Sequence, residues 1–421
     1  MKTLLVFLLI FSVIVVIHEF GHYYFARKAG ILVREFSIGM GPKVFAHQGK
    51  DGTTYTLRFL PLGGYVRLAG LNEEELVKPG MEVGLTFNEA NQVTRLNLSE
   101  KILGNEMPLQ VDECDLSKTL SIAGYTSGQE DRKRFDVDPK ARVIEADGTN
   151  IPIATWDQTY EQASVWSKIK TNFAGPMNNF ILSIIVFTVI GFLVPGIPSS
   201  QAQIGQVIKN TPAAQAQLKA GDRVKAINHQ PVKDWDQMVK LVAEAPDKQL
   251  IFELERGNQV LEKSLKIKAV KDPNSGKVYG QLGVIPAYRT DFATRLSYGF
   301  LKTWEVMTMV VAVVAGMFKS GFDLNQFGGP LAMAQMTGQV VKYGFISTLS
   351  LMGMLSANLG VFNLFPIPAL DGGKIVLNLV ELVRGKPLSQ EKEGVITLVG
   401  VAILAIFMIA VTWNDIMRYF N

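Results

Sequence analysis

Cysteine is nearly absent from the 421 residues: the only one is Cys114. A lone thiol forms no internal disulfide and cannot build the cysteine clusters of a structural zinc site. Any metal must therefore sit on histidine and carboxylate, and histidine is scarce too, with four in the chain. Net charge is also small. The 42 Lys and Arg against 38 Asp and Glu give +4, spread without a basic tract, which sets nucleic-acid binding aside. Charged residues make up 19% of the chain and hydrophobic residues 48%, with a mean hydropathy of +0.18. Such a composition argues against an ordinary soluble enzyme and for a membrane protein with two or three folded units. Lys2 and an apolar core resemble a signal peptide, but no A-x-A-like cleavage site follows, so the first segment reads as a retained helix.

What the chain does have is long runs without Asp, Glu, Lys or Arg. Four reach the roughly 20 residues that a spanning helix needs. They are Thr3 to Ala26, with Glu19 as its one exception, Phe173 to Gly196, Tyr343 to Leu370, and Gly394 to Asn414. A further run, Val306 to Phe318, is flanked by Glu305 and Lys319. At about a dozen residues it is too short to cross comfortably and is expected to lie in or dip into the interface.

The first run contains its own anomaly. VIVVIHEFGHYYFA, Val13 to Ala26, carries His18, Glu19 and His22 at a depth where each ionisable group costs a few kcal/mol or more unless paired or wet. On a helix His18 and His22 lie one turn apart on one face, so both imidazoles reach one ion and Glu19 lies beside them. A hydrolytic zinc site takes three protein ligands and keeps a fourth position for water. The third ligand is sought in NLFPIPALDGGK, Asn363 to Lys374, where an uncharged run ends at Asp371. Pro366 and Pro368 break the helix there, and freed carbonyls are tolerated at membrane depth only beside protein or a wet cavity. A lone H-E-x-x-H recurs by chance in soluble proteins, and a lone Asp before two glycines can simply mark a helix boundary; together the two segments support each other.

For His18, His22 and Asp371 to meet, the first and third spans must run the same way, with one crossing between them. Arg27, Lys28 and Arg34 follow the first span, and Lys374, Arg384, Lys386 and Lys392 fill the loop before the fourth. By the positive-inside rule these ends face the cytoplasm, which puts both termini and residues 199–342 outside.

The expected organisation is a polytopic α-helical membrane protein with about four transmembrane helices. Residues 1–26 form the first span and 27–70 a hairpin region, in which TTYTLRFLPLGGYVRLAG alternates apolar and polar residues around Pro61-Leu62-Gly63-Gly64, either as a plain surface hairpin or as a functional one. Residues 71–153 read as a β-rich cytoplasmic insertion. Residues 154–198 hold an amphipathic helix and the second span, 199–270 a small α+β domain, and 271–342 its C-terminal region with interfacial helices. The third span covers 343–371, a cytoplasmic loop 372–393, and the fourth span and tail 394–421. In the α+β domain the phrase N-x-P-A…G-D-x-V-x-x-I-N resembles PDZ domains of bacterial proteases. That resemblance implies that Ile204, Gly205, Gln206 and Val207 receive a peptide carboxylate, and that an extended peptide adds to a sheet edge. A glycine usual after the Ile-Asn of that phrase is His229 here, a poor metal ligand on its own.

The segments HEFGH, FSIGMGPK, FLPLGGYVRLAG, NFAGPMNN, the PDZ-like phrase and NLFPIPALDGGK, in this order, resemble the site-2 protease family of intramembrane zinc metalloproteases, closest to its single-PDZ form from Gram-positive bacteria. The resemblance covers most of the chain. It implies one zinc ion on His18, His22 and Asp371, Glu19 as catalytic base, and Asn363 and Asn358 as polar contacts to the substrate backbone. It also implies that the hairpin through Gly63 and Gly64 is a membrane-associated β element that pairs with unwound substrate. The implied substrates are single-pass membrane proteins and signal-peptide remnants within the lipid bilayer, among them anti-sigma factors and peptide-pheromone precursors, usually trimmed first by another protease. Two other readings remain: a membrane metal transporter using the same ligands, and an inactive PDZ scaffold.

Overall fold

The computed structural model describes residues 2–71, 76–99, 106–126, 131–272, 276–321, 323–324 and 327–420. Its helices are α1 (Lys2–Lys28), α2 (Val165–Leu193), α3 (Pro212–Gln215), α4 (Trp235–Ala243), α5 (Phe292–Ser320), α6 (Pro330–Lys342), α7 (Phe345–Asn363), α8 (Asp371–Arg384) and α9 (Gln390–Phe420). The chain divides into two compact units. One comprises Met1–Phe187 with Lys302–Asn421, the other Thr188–Leu301.

Among the described residues five helices are long and apolar enough to cross a membrane: Thr3–Lys28, Val165–Leu193, Phe292–Met317, Phe345–Asn363 and Glu391–Arg418. Their outward residues are large and apolar, with Leu398, Ile406 and Ile409 of α9 each about two-thirds exposed, as lipid-facing side chains are. The third of these helices is longer than the short run expected from the sequence. α5 has 29 residues, because its helical pattern continues N-terminally through Arg295, Lys302 and Glu305, where a search for charge-free runs stops. Lys302 and Glu305 pair with each other at 2.6 Å, and the buried Thr303 Oγ1 lies 3.0 Å from Ser183 Oγ in α2.

The first unit is organised around α2. Asn178 Nδ2 donates to the Ile17 carbonyl, and Leu182 packs with Ile10 and Ile14, so α1 and α2 are antiparallel. Ser356 Oγ donates to the Asn179 carbonyl, while Gly353 lies against Phe187, so α7 also runs against α2. Hence α1 and α7 are parallel, and Ile10 and Ile14 form a buried cluster with Leu351. α6 packs by the start of α1, with Gly338 beside Thr3. Its own start is held by Asp415 of α9, whose Oδ2 accepts the Ala332 N–H at 3.1 Å, a carboxylate at the positive end of a helix.

After α1 the strands β1 (Val33–Gln48) and β2 (Thr54–Leu68) turn tightly at Gly49–Thr53. The hairpin expected around Pro61–Gly64 does not close on itself. Ser37 of β1 pairs with Thr56 on one side and Tyr65 on the other, so both halves of β2 flank the first half of β1. The result is a curled sheet whose segments lie in the order 43–48, 54–58, 35–38, 64–67. Next come β3 (Glu82–Phe87), β4 (Val93–Asn97), β5 (Met107–Asp115), β6 (Ser121–Thr126), β7 (Arg132–Ile144) and β8 (Asn150–Pro152). A parallel β4–β7 ladder joins the two ends of the antiparallel series β4-β3-β5-β6-β7. Closure removes free edges and encloses Leu85, Val93, Leu96, Leu109, Ile122 and Val143, all fully buried.

The second unit is a small α+β fold. Strands 223–227, 249–256 and 259–266 form its main antiparallel sheet, and Phe252, Leu254, Met238 and Ile267 fill its core. α4 is capped by Asp234, whose carboxylate accepts the Gln237 N–H, and buries Met238 and Val242 four residues apart. The unit extends past residue 270 because strand 284–286 pairs with 204–207, and Leu282 belongs to its core. In the turn between Ile227 and Gln230, Asn228 and His229 have φ of +49° and +62°. The left-handed turn is thus kept without glycine, helped by the Asn228 side chain accepting the Ile251 N–H. His229 is exposed, and its Nδ1 lies 2.8 Å from Glu253 Oε1.

Asp222 of the GD pair is fully buried and accepts from Arg256 Nε, Arg256 Nη2 and the Lys219 N–H. Burial alone would raise its carboxyl pKa; the Arg256 hydrogen bonds and the Lys219 N–H outweigh it and hold the group below the usual carboxylate range. A depressed folded pKa contributes stability that is present above the unfolded value of about 3.9 and lost as pH falls through the folded one. Thermal unfolding of this unit should therefore show stability falling below about pH 4, with a flatter acid limb in Asp222→Asn. An unchanged acid limb in the variant would remove Asp222 as its source.

Candidate metal centre

Three side chains from distant parts of the sequence converge. His18 Nε2 and His22 Nε2 are 3.2 Å apart, and Asp371 Oδ2 lies 3.2 Å from the first and 3.4 Å from the second. Oδ2 is buried and has no hydrogen-bond partner. Donor atoms arranged tetrahedrally at about 2.0 Å from a zinc ion stand about 3.3 Å from one another. Two imidazole nitrogens and one carboxylate oxygen at these separations therefore fit zinc, with the fourth direction left for water. The side chains are 9–13% exposed, which keeps the site nearly enclosed.

α2 shapes this site at close quarters. A Cβ on Gly175 would lie 2.7 Å from His18 Nε2 and closer still to His22 Nε2, so only glycine lets the helix pass there. Gly21 of α1 faces it in the same way, against the Ala174 carbonyl. Pro176 cannot donate to the carbonyl four residues before it, which loosens the hydrogen-bond ladder in this turn of α2. Nearby, the Thr171 carbonyl accepts from His22 Nδ1 at 2.8 Å. On the other imidazole, His18 Nδ1 faces the amide of the fully buried Asn179 at 3.1 Å.

Asp371 opens α8 after a loop that the proline pair shapes. Pro366 and Pro368 lie between the end of α7 and the cap residue Leu370, and Ala369 takes a left-handed φ of +78°. Cβ atoms on Gly372 or Gly373 would collide with the carbonyls of Leu364, Phe365 and Ile367, so both glycines are required for α8 to pack onto its own loop. Further along α8, Glu381 pairs with the buried Lys168 of α2 at 2.8 Å, and Asn378 and Asn172 both donate to the Tyr160 hydroxyl. The element carrying Asp371 is thereby tied to the element that supports the histidines.

Glu19 points toward the curled sheet: its Cγ lies 3.6 Å from where a Gly64 Cβ would stand. Tyr23 and Arg27, four and eight residues on, share its face of α1 and both bond Asp51 in the Gly49–Thr53 turn, at 2.8 and 3.0 Å. Gly63 takes a φ of +93° beside Met40. Asn358 sits within α7 with its Oδ1 buried and unpartnered, and the half-buried Asn363 ends that helix. Ile204, Gly205, Gln206 and Val207 belong to the second unit and are not a free loop. Their strand pairs with 284–286 on one side, Ile204 is fully buried, and its N–H and carbonyl bond Asp222 and Gly221, while Ile204, Gly205 and Gln206 line a cavity with Pro286 and Tyr288.

A family model for "Peptidase family M50" matches residues 6–407. The chain belongs to that family. It is 46% identical over 424 residues to "Probable protease eep" of Enterococcus faecalis and 44% identical over 433 residues to "Putative zinc metalloprotease LL2128" of Lactococcus lactis. Both alignments cover all of this chain, and 100% and 99% of those proteins. This M50 peptidase is thus an intramembrane metalloprotease of the site-2 type.

Within the peptidase, sequence reasoning overlooked Gly175, Thr171 and Asn179, although NFAGPMNN stood out as a motif. Two asparagines and a Gly-Pro pair inside an apolar helix were the available signal. Gly175→Ala is expected to push the imidazoles apart and lower zinc retention after chelator dialysis at least tenfold. Zinc content equal to that of the wild type would show that α2 does not confine the site.

Proposed function

We propose that His18, His22 and Asp371 hold one zinc ion per chain, and that Glu19 is the general base and acid for hydrolysis of peptide bonds within membrane-spanning segments. The observation that carries this reading is the triangle of three donor atoms at 3.2–3.4 Å, built from two helices at lipid depth. Zinc bound there supplies Lewis-acid activation of a water and of the scissile carbonyl. Glu19 takes the attacking water's proton on its carboxylate and returns it to the leaving amine nitrogen.

A helical substrate has its carbonyls engaged in intrahelical bonds and must unwind before it can react. The free Oδ1 of Asn358 and the side chain of Asn363 offer polar partners for freed backbone. The 64–67 segment, outermost in the curled sheet and beside Glu19, offers an edge to which an unwound strand can add. Gly63 and Gly64 keep that edge low. Asp51, held by Tyr23 and Arg27, fixes the sheet on the face of α1 that carries Glu19.

Arg27 and Lys28 at the end of α1, with Lys374 and Arg384 in α8, support an orientation with the metal centre toward the cytoplasmic side of the cell membrane. The β3–β8 barrel lies on that side, and both termini and the 188–301 unit lie outside. The outer unit acts as a PDZ-type domain that either filters substrates by size or binds a newly made C-terminus. Substrates are single-pass membrane proteins and signal-peptide remnants, including anti-sigma factors and peptide-pheromone precursors, after a first cut outside.

Reconstituted with a single-span substrate, Glu19→Gln should keep one zinc per chain and lose about 10²–10⁴-fold in cleavage rate or more. Cleavage at the wild-type rate would remove Glu19 from the chemistry. The outer unit can be tested by excision, because Ile197–Pro198 pairs directly with Tyr288–Arg289 and brings its entry and exit together. Replacing residues 200–286 with a short turn should make untrimmed substrates cleavable. An unaltered substrate range would take this unit out of substrate choice.

A further inference from the structure

We infer that Asn179 is a positioning residue for the metal centre, setting which nitrogen of His18 is offered to the cation. The inference rests on the zinc reading above. Each imidazole must present Nε2 as a lone pair, which requires the proton to be on Nδ1 and an acceptor to hold it there. His22 meets this need from the backbone: the Thr171 carbonyl only accepts, so the His22 Nδ1 contact at 2.8 Å places the proton on Nδ1.

Among the described residues no carbonyl meets the His18 Nδ1 in this way. Its Nδ1 faces the amide of Asn179, at 3.1 Å from Nδ2, in a position with no solvent exposure. An amide nitrogen donates, and in that orientation it favours an unprotonated Nδ1 with the proton on Nε2, the nitrogen that faces His22 and Asp371. The other end of the same amide, Oδ1, is buried and without a hydrogen-bond partner. A half-turn of the amide about its last bond brings Oδ1 to Nδ1. The proton then sits on Nδ1 and the Nε2 lone pair is free.

Asn179 thus serves both tautomers of His18, one per amide orientation, and cation binding selects the orientation with Oδ1 toward the imidazole. Its backbone is held independently, since the Asn179 carbonyl accepts from Ser356 Oγ of α7 at 2.8 Å. The amide is therefore carried on a fixed segment where α2 meets α7. A serine or threonine hydroxyl is shorter and would not span the same distance from this backbone. An aspartate would, and it accepts only.

The test is zinc affinity of the full-length protein in detergent, measured by chelator competition, for the wild type, Asn179→Leu and Asn179→Asp. Asn179→Leu, close in size but unable to accept, should bind zinc about 10–100-fold more weakly. Asn179→Asp should bind at least as tightly as the wild type, because a carboxylate holds the Nδ1 proton without needing to turn. If Asn179 matters only for packing, the buried charge makes Asn179→Asp the weaker binder, and that order overturns the inference even if Asn179→Leu fails to fold. Equal affinity in wild type and a folded Asn179→Leu overturns it as well. A wild-type protein that binds no zinc overturns the underlying metal assignment instead.

Discussion

The structure depends on holding three ionisable side chains together at a depth where none is tolerated alone. His18, His22 and Asp371 come from α1 and from the first residue of α8, about 350 residues apart in sequence. Their donor atoms are brought within 3.4 Å by helices that must stay in register to a fraction of a turn. At membrane depth an unpaired charge costs a few kcal/mol or more, so this convergence is a condition of folding whatever chemistry it serves. The surrounding elements can be read as supports for it.

α2 is the principal support. It runs against both α1 and α7 and places Gly175 against the two imidazoles. It provides the Thr171 carbonyl for one ring and the Asn179 amide for the other. The buried Lys168–Glu381 pair and the Tyr160 hydroxyl with its two asparagines fasten α8 to the same helix. Truncating one partner of such a buried pair is expected to be far more damaging than replacing both with apolar residues. The curled sheet meets Glu19 at Gly64, so α1 presents its histidine pair and Glu19 toward different neighbours.

Much of this was legible from residue type and spacing, and the rest was not for identifiable reasons. The His-Glu-x-x-His spacing places two imidazoles on one helical face whatever surrounds them, and a carboxylate ending an uncharged run next to two prolines marks a site. The parallel course of α1 and α7 follows from requiring those groups to meet. The full length of α5 was hidden because Lys302 and Glu305 interrupt the charge-free run, although they pair on the helix surface. The strands around Pro61–Gly64 alternate correctly, but alternation does not tell which strand each half pairs with, and both chose β1. Ile204 to Val207 resembles a ligand loop in sequence, and the structure makes it a strand paired with 284–286, which residue type alone does not reveal. The roles of Thr171 and Gly175 arise from a backbone carbonyl and a missing Cβ, and neither has a side-chain signature.

The most direct test of the central claim is the zinc K-edge X-ray absorption spectrum of the purified full-length protein. The account predicts one zinc per chain in a nitrogen and oxygen first shell at about 2.0–2.1 Å, with the outer-shell scattering of two imidazoles and no sulfur. In Asp371→Ala the first shell should change while the two imidazoles remain. Protein that retains no zinc, or a spectrum indifferent to Asp371, would contradict it.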